Sequence, residues 1–163
     1  VGALGGHQIK NYWLKLRFLE SIFAAKHNQR SKAMTDIKNI DGKVIYTSAS
    51  ETDTIKQALK QAAKARVSLY KANLWRADLS GADLSGADLS GADLHGADLS
   101  NACLRYAVLH DANLVGVNLE GADLIGADLR LANIGGAELQ GVKLDGAKVT
   151  IGNTTFKLEA CDD

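Results

Sequence analysis

Apolar residues in this chain recur with three different periods, and the least usual of them fills more than half of it. From residue 67 to 151 every fifth position is Leu, rarely Ile or Val, and the position two before it is Ala or Val. The run reads ANLWR ADLSG ADLSG ADLSG ADLHG ADLSN and continues in phase for about seventeen units. Period two marks a strand and period 3.6 a helix. Period five fits neither. It predicts a chain that turns a corner once per unit, so that four units make one square coil of twenty residues. Coils then stack through backbone hydrogen bonds at the strand spacing of about 4.8 Å. The central residues, Leu69, Leu74, Leu79, Leu84, Leu89, Leu94, Leu99, Leu104, Leu109, Leu114, Leu119, Leu124, Leu129, Ile134, Leu139, Leu144 and Val149, are expected to point to the axis as a core ladder. The residue two before each also points in and must be small; Val67, Val117 and Val142 are the larger exceptions. The other three positions face water. Asp or Asn precedes most central residues, and Gly, which takes a sharp turn at no steric cost, ends most units in the middle of the run.

Residues 9–27, IKNYWLKLRFLESIFAAKH, set Ile9, Tyr12, Leu16, Leu19 and Phe23 three and four apart, with Lys10, Lys15, Arg17 and Lys26 on the remainder. That spacing predicts an amphipathic helix packed on its own domain or on a partner chain; the alternative is a helix lying on a membrane surface. Residues 28–35 are a polar joint. Met34, the only Met, opens MTDIKNIDGKVIYTS and offers an alternative start, which would make residues 1–33 an extension from outside the native chain. Residues 36–47 alternate around Asp41-Gly42, the pattern of a hairpin with a tight turn. A second helix follows, with Ser50 or Thr52 as its cap and Asp53 near its first turn. Ile55, Ala58, Leu59 and Ala62 form its buried face, and Lys56, Lys60 and Lys64 its solvated one.

The five-residue unit of a small residue, Asn or Asp, an aliphatic centre and two variable residues resembles the pentapeptide-repeat family over roughly residues 67–151. The resemblance implies an all-β fold, a right-handed quadrilateral β-helix. The hairpin and helix of residues 36–65 are similar to the cap that precedes the coil in some members. Two features depart from the family: every centre is aliphatic where Phe is frequent, and no loop interrupts the units. The organisation expected is an N-terminal helical extension at 1–33, a hairpin and capping helix at 34–66, the β-helix at 67–151 and a C-terminal cap or tail at 152–163. In that tail Ile151, Phe156 and Leu158 are expected either to fold back as a short strand over the last coil or to make an end-to-end dimer contact.

The formal net charge is zero, but residues 1–65 carry 11 Lys and Arg against 5 Asp and Glu, and residues 66–163 carry 8 against 14. A basic head precedes an acidic body. The start lacks the basic and apolar regions of a signal peptide, and no run of 18 apolar residues suits a spanning helix. Two cysteines, Cys103 and Cys161, are too few for a disulfide scaffold or a thiolate metal site, which fits a reducing, cytoplasmic setting.

Residues twenty apart share a column, so Asp78 and Asp98 align with Asn118 and Glu138, and Asp83 with Cys103 and Asp123. Side chains one coil apart point in parallel and do not converge on a cation; these carboxylates are expected to bond their local backbone turns. His95 and His110 are expected as exposed surface residues and Cys103 as outward and inert. No catalytic, metal or cofactor residues are expected, since a dry Leu/Ala core offers no pocket. Breaks in the ADLSG pattern mark the candidate partner contacts: Trp75, Arg76, Arg105, Tyr106, His110 and Arg130. Trp75 is expected to pack against the capping helix, and Arg105 and Tyr106 are the residue types favoured at interface centres. The reading is a non-catalytic structural or protein–protein interaction module, bacterial or phage-encoded, whose partner is an unidentified protein or a second copy. The resemblance adds an alternative, a DNA-mimicking modulator of a type II topoisomerase (gyrase), for which about 20 Å of acidic rod is short. A further alternative is peripheral membrane attachment through residues 9–27. Direct nucleic-acid binding is not expected.

Overall fold

The computed structural model describes residues 34–50, 53–151 and 154–158. All of them belong to one unit, Met34–Asp163; the helix expected at 9–27 lies outside the described residues.

The period of five becomes a backbone register of twenty. Parallel bridges join Asn73 to Asp93, Asp93 to Asn113 and Asn113 to Asn133, and the same step runs through Asp78, Asp98, Asn118 and Glu138 and through Asp83, Cys103, Asp123 and Lys143. The chain therefore lies in layers of twenty residues, each layer holding four units. One unit shows the bonding of all. Leu74 N donates to Asp93 O at 2.8 Å, Asp93 N donates back to Ala72 O at 2.9 Å, and Arg76 N donates to His95 O at 3.0 Å. Ala77 N closes the turn onto Leu74 O at 3.1 Å. The third residue of that turn has a positive φ and the second does not, as in a turn of type II. Gly takes this position in most units, while Lys71, Arg76, Asn101, Tyr106, Asp111 and Leu131 adopt it at φ of 56, 53, 56, 58, 59 and 61°. For residues with a Cβ that conformation costs roughly 1–2 kcal/mol.

The two inward positions of each unit make the core. Every centre from Leu69 to Leu129 is buried, as are the alanines from Ala82 to Ala127 in the small position and Val117 among them. Each buried Leu contributes about 2 kcal/mol through area removed from water. The ladder stops short of its expected end. Ile134 is 44% and Leu139 43% exposed, and Leu144 and Val149 are only half-buried. These four lie in the last layer, where among the described residues only Thr154–Leu158 pair beyond it, along the unit of Val149.

Ahead of the layers, β1 (Asp36–Lys38) and β2 (Val44–Thr47) pair antiparallel with a bulge between Ile37 and Lys38. Asn39 Oδ1 accepts from Asp41 N at 3.1 Å and Lys43 N at 2.8 Å, which holds the turn. The first layer adds to the free edge of β1: Ile40 N donates to Lys71 O at 2.9 Å and Asn73 N to Lys38 O at 2.7 Å. The helix α1 (Ile55–Lys64) starts at Thr54, not at Ser50 or Thr52 as expected. Gln57 decides the position, because its side chain accepts from Thr54 N at 2.7 Å while Thr54 Oγ1 accepts from Gln57 N at 3.3 Å, a capping box. At the other end Arg66 N donates to Ala63 O and Val67 N to Ala62 O, with Arg66 at φ 54°, a Schellman ending that leads straight into the first layer. Ala58, Leu59 and Ala62 share one core with Leu69 and Leu74, and Ile55 packs against it half-buried. The expectation that Lys56 is solvated is corrected: its Nζ donates to Ser80 O at 2.8 Å and lies 3.3 Å from Asp78.

At the far end β3 (Asp128–Leu129) pairs parallel with β4 (Lys148–Ile151), and β5 (Thr154–Lys157) returns antiparallel along β4. This strand follows one unit of the last layer and does not cross its open face, so Phe156 stays 45% exposed. The burial difference predicts a stability difference. Leu104→Ala should cost about 3 kcal/mol, whereas Leu139→Ala should cost less than about 1 kcal/mol in the monomer. Urea unfolding of both variants checks this.

Candidate functional site

Where the outward residue before a centre is Asp or Asn, it is used locally. Asp83 Oδ1 accepts from Ser85 N at 3.2 Å and Ser85 Oγ at 2.7 Å, Asp88 Oδ1 accepts the same pair from Ser90 at 3.2 and 2.7 Å, and Asp78 does so from Ser80. Asn113 and Asn118 serve Val115 N and Glu120 N alike. Each of these side chains braces the turn two residues on. Between layers, Ser68 Oγ donates to Asp88 and Asn113 Nδ2 to Asp93 Oδ1 at 3.0 Å. Among the described residues no three His, Cys, Asp or Glu converge as metal ligands. The columns differ in sign: Asp83, Cys103, Asp123 and Lys143 share a mixed one, whereas Asp78, Asp98, Asn118 and Glu138 make an acidic one.

The candidate contacts fall in separate places. Trp75 is 53% exposed, and Arg76 lies over its ring at 4.5 Å from the centroid. Its expected packing on α1 is corrected. The unit carrying Trp75 borders β1, whereas α1 reaches Ser80 through Lys56, one unit further on. Tyr70, also 53% exposed, carries Lys71 at 5.4 Å in the same layer. Arg105 sits a layer and a half away and pairs with Asp123 at 3.0 Å. Tyr106 is 65% exposed, yet its ring lies where a Cβ on Gly126 would stand, 2.5 Å from Cδ1. Gly126 is thus favoured both by its positive φ and by the Tyr106 ring twenty residues before it. His110 and His95 are half-buried, not exposed as expected: neighbours twenty residues before and after, Ser90 and Arg130 for one, Trp75 and Val115 for the other, flank them in their columns. Arg130 holds Asp128 with two bonds, Nε to Oδ1 at 2.8 Å and Nη2 to Oδ2 at 2.6 Å. Cys103 is a half-buried free thiol 3.1 Å from Ser85 Oγ. A cleft of about 500 Å³ opens between the end of α1, at Lys64, Arg66 and Val67, and Ser68, Ser85 and Asp88 of the layers.

The Pentapeptide repeats family model matches residues 68–105 and 112–150 in eight copies. A pentapeptide repeat protein from Nostoc is 40% identical, over 59% of this chain and 79% of its own, with a TM-score of 0.56. The chain belongs to the pentapeptide-repeat family. Two further structures of pentapeptide repeat proteins are similar. One, from the Arabidopsis thaliana thylakoid lumen, is 40% identical over 50% of this chain and 54% of its own, with a TM-score of 0.38. The other, from the cyanobacterium Cyanothece, is 41% identical over 48% and 56%, with a TM-score of 0.36. Comparison with curated proteins returns no match.

In this pentapeptide repeat four turn-bracing carboxylates, Asp78, Asp83, Asp88 and Asp128, are acidified. The hydroxyl and N–H of Ser80, with Lys56, hold Asp78 below the ordinary carboxylate value, and Ser85 does the same for Asp83. At Asp88 burial pushes upward but the Ser68 and Ser90 bonds outweigh it, and Arg130 lowers Asp128. A carboxyl whose pKa is lower folded than unfolded adds stability above its unfolded value, and that stability is lost as pH falls through the folded one. The melting temperature should therefore fall as pH drops from about 4 towards 2. Asp83→Asn with Asp88→Asn should flatten that fall by bringing the pH 7 value down towards the acid one, because the amide oxygen still accepts from the turn, as Asn113 does, but carries no charge to lose. Melting curves across pH check this.

Proposed function

We propose that the chain is a non-catalytic interaction module, a rigid right-handed quadrilateral β-helix that binds through its surface. Twenty-residue register in four five-residue units supports that geometry, as does the family. In this reading residues 34–66 close the N-terminal end as a hairpin and helix, residues 67–151 form the β-helix and 152–163 the tail, in a cytoplasmic setting. An interior filled by Leu and Ala leaves no room for a substrate among the layers, which favours binding over chemistry.

The observation that carries the reading is the contrast between the two ends. Leu69, Leu74 and Leu79 in the first layer are at most 1% exposed, while Leu131, Ile134 and Leu139 near or in the last layer are 58, 44 and 43% exposed. An apolar face beside unpaired edge strands favours association. With the N-terminal end closed, a second copy fits as an isologous end-to-end dimer, which ends without forming a filament. Sedimentation velocity should give a dimer for the parent chain and a monomer for Ile134→Glu with Leu139→Glu. A parent chain that stays monomeric at high concentration contradicts the dimer.

A further inference from the structure

Apart from Met34 and Tyr106, the exposed large hydrophobics of the described structure gather in two places. One group, Leu131, Ile134, Leu139 and Phe156, belongs to the open end just discussed. The other is at the opposite end: Ile40 at 49%, Val44 at 42%, Tyr70 at 53% and Trp75 at 53% exposure. The backbone joins them into one surface. Ile40 N bonds Lys71 O, Asn73 N bonds Lys38 O, and Lys38 is in register with Val44. The strands β2 and β1 and the unit holding Trp75 therefore lie side by side, and at roughly 4.8 Å per strand they span about 10 Å.

The charge of this surface is basic, and among the described residues its cations have no carboxylate partners. The ion pairs among the described residues are Lys56–Asp78, Arg105–Asp123 and Arg130–Asp128, none of them involving Lys38, Lys71 or Arg76. Two of these cations are held in place by rings: Arg76 by Trp75 at 4.5 Å and Lys71 by Tyr70 at 5.4 Å. Glycines in the next layer leave space for them, Gly96 under the Arg76 stem and Gly91 under Lys71 and Tyr70. Side chains ordered before binding lose little freedom on binding. The surface is also narrow. Asp41 stands at the hairpin turn and Asp93 one layer above Asn73, so a lipid plane or a nucleic-acid backbone would bring its phosphates against carboxylates at the rim. The chain's own residues 1–33 carry 6 Lys and Arg against one Glu and match the surface in sign.

We infer that the Tyr70–Lys71–Trp75–Arg76 face, with Lys38 and Val44 of the hairpin, docks a short acidic protein segment that carries an apolar side chain. Carboxylates of the segment meet Lys71 and Arg76, and its apolar side chain covers the open part of Trp75. The inference rests on the chain being an interaction module but not on self-association, which sedimentation of the same samples reports separately.

The test uses the full chain and a fluorescein-labelled peptide of Glu and Asp around a single Phe. Vesicles of phosphatidylcholine with phosphatidylserine and an oligothymidylate are the competing probes. Fluorescence anisotropy should show binding to the peptide, weakened about tenfold by Arg76→Ala or by Trp75→Ala and unchanged by Arg130→Ala, three layers from Tyr70. Trp75→Ala and Arg76→Ala should melt as the parent does, since the residues are exposed, and Arg130→Ala should lose at most the small contribution of its surface pair with Asp128. Absence of peptide binding, binding indifferent to Arg76 and Trp75, or tighter binding of vesicles or oligothymidylate through the same two residues overturns the inference. A dimer that persists while the peptide fails to bind leaves the interaction-module reading intact and removes this surface from it.

Discussion

The hydrogen bond between residues about twenty apart is the constraint on which everything else depends. It exists only if the chain turns by the same amount every five residues, and the turn exists only if its third residue accepts a left-handed backbone. Once turn and register are set, the central and small positions have nowhere to go but inward, and the interior fills with Leu and Ala. The outward Asp or Asn then stands within reach of the N–H two residues on, as Asp83 does to Ser85. Core, turn and surface ladder are three consequences of one repeat.

The same constraint explains what was legible beforehand. A pattern in which each residue's environment recurs every five positions announces its core without any long-range knowledge. Leu74 through Leu129 could be read from spacing alone. The hairpin and α1 were legible from Asp41-Gly42 and from the stripe of Ile55, Ala58, Leu59 and Ala62. What spacing does not carry is how elements meet. The pairing of β1 with the unit that holds Trp75 is a contact between residues thirty and more positions apart, so the exposure of Trp75 and the surface it shares with Lys38 and Val44 left no local trace. The engagement of Lys56 with Ser80 and Asp78 is of the same kind. The cap at Thr54 was legible in principle, because Gln57 stands three residues on.

End effects are the other class that a periodic sequence conceals. Leu139 occupies the same position in its unit as Leu119, yet one is 43% exposed and the other 1%. The difference lies in whether a further layer exists, and a repeat looks alike from inside at every unit. This places the binding potential of the molecule at its two ends. One presents an unsatisfied apolar face and the other a basic, ring-bearing face with a closed core behind it. The column positions between them are largely occupied in bracing turns and pairing with neighbours, as Arg105 and Arg130 show.

Residue-resolved amide hydrogen exchange tests the account most directly. The centres Leu79 to Leu124 donate their N–H to the layer above, Leu104 to Asp123 O at 2.7 Å for one, and should exchange slowest. Ile134 and Leu139, without such a bond among the described residues, should exchange fast in dilute monomer and slow down as concentration rises. Fast exchange in the middle layers would contradict the stacked register. Equal protection of Leu139 and Leu119 at every dilution would contradict an open end.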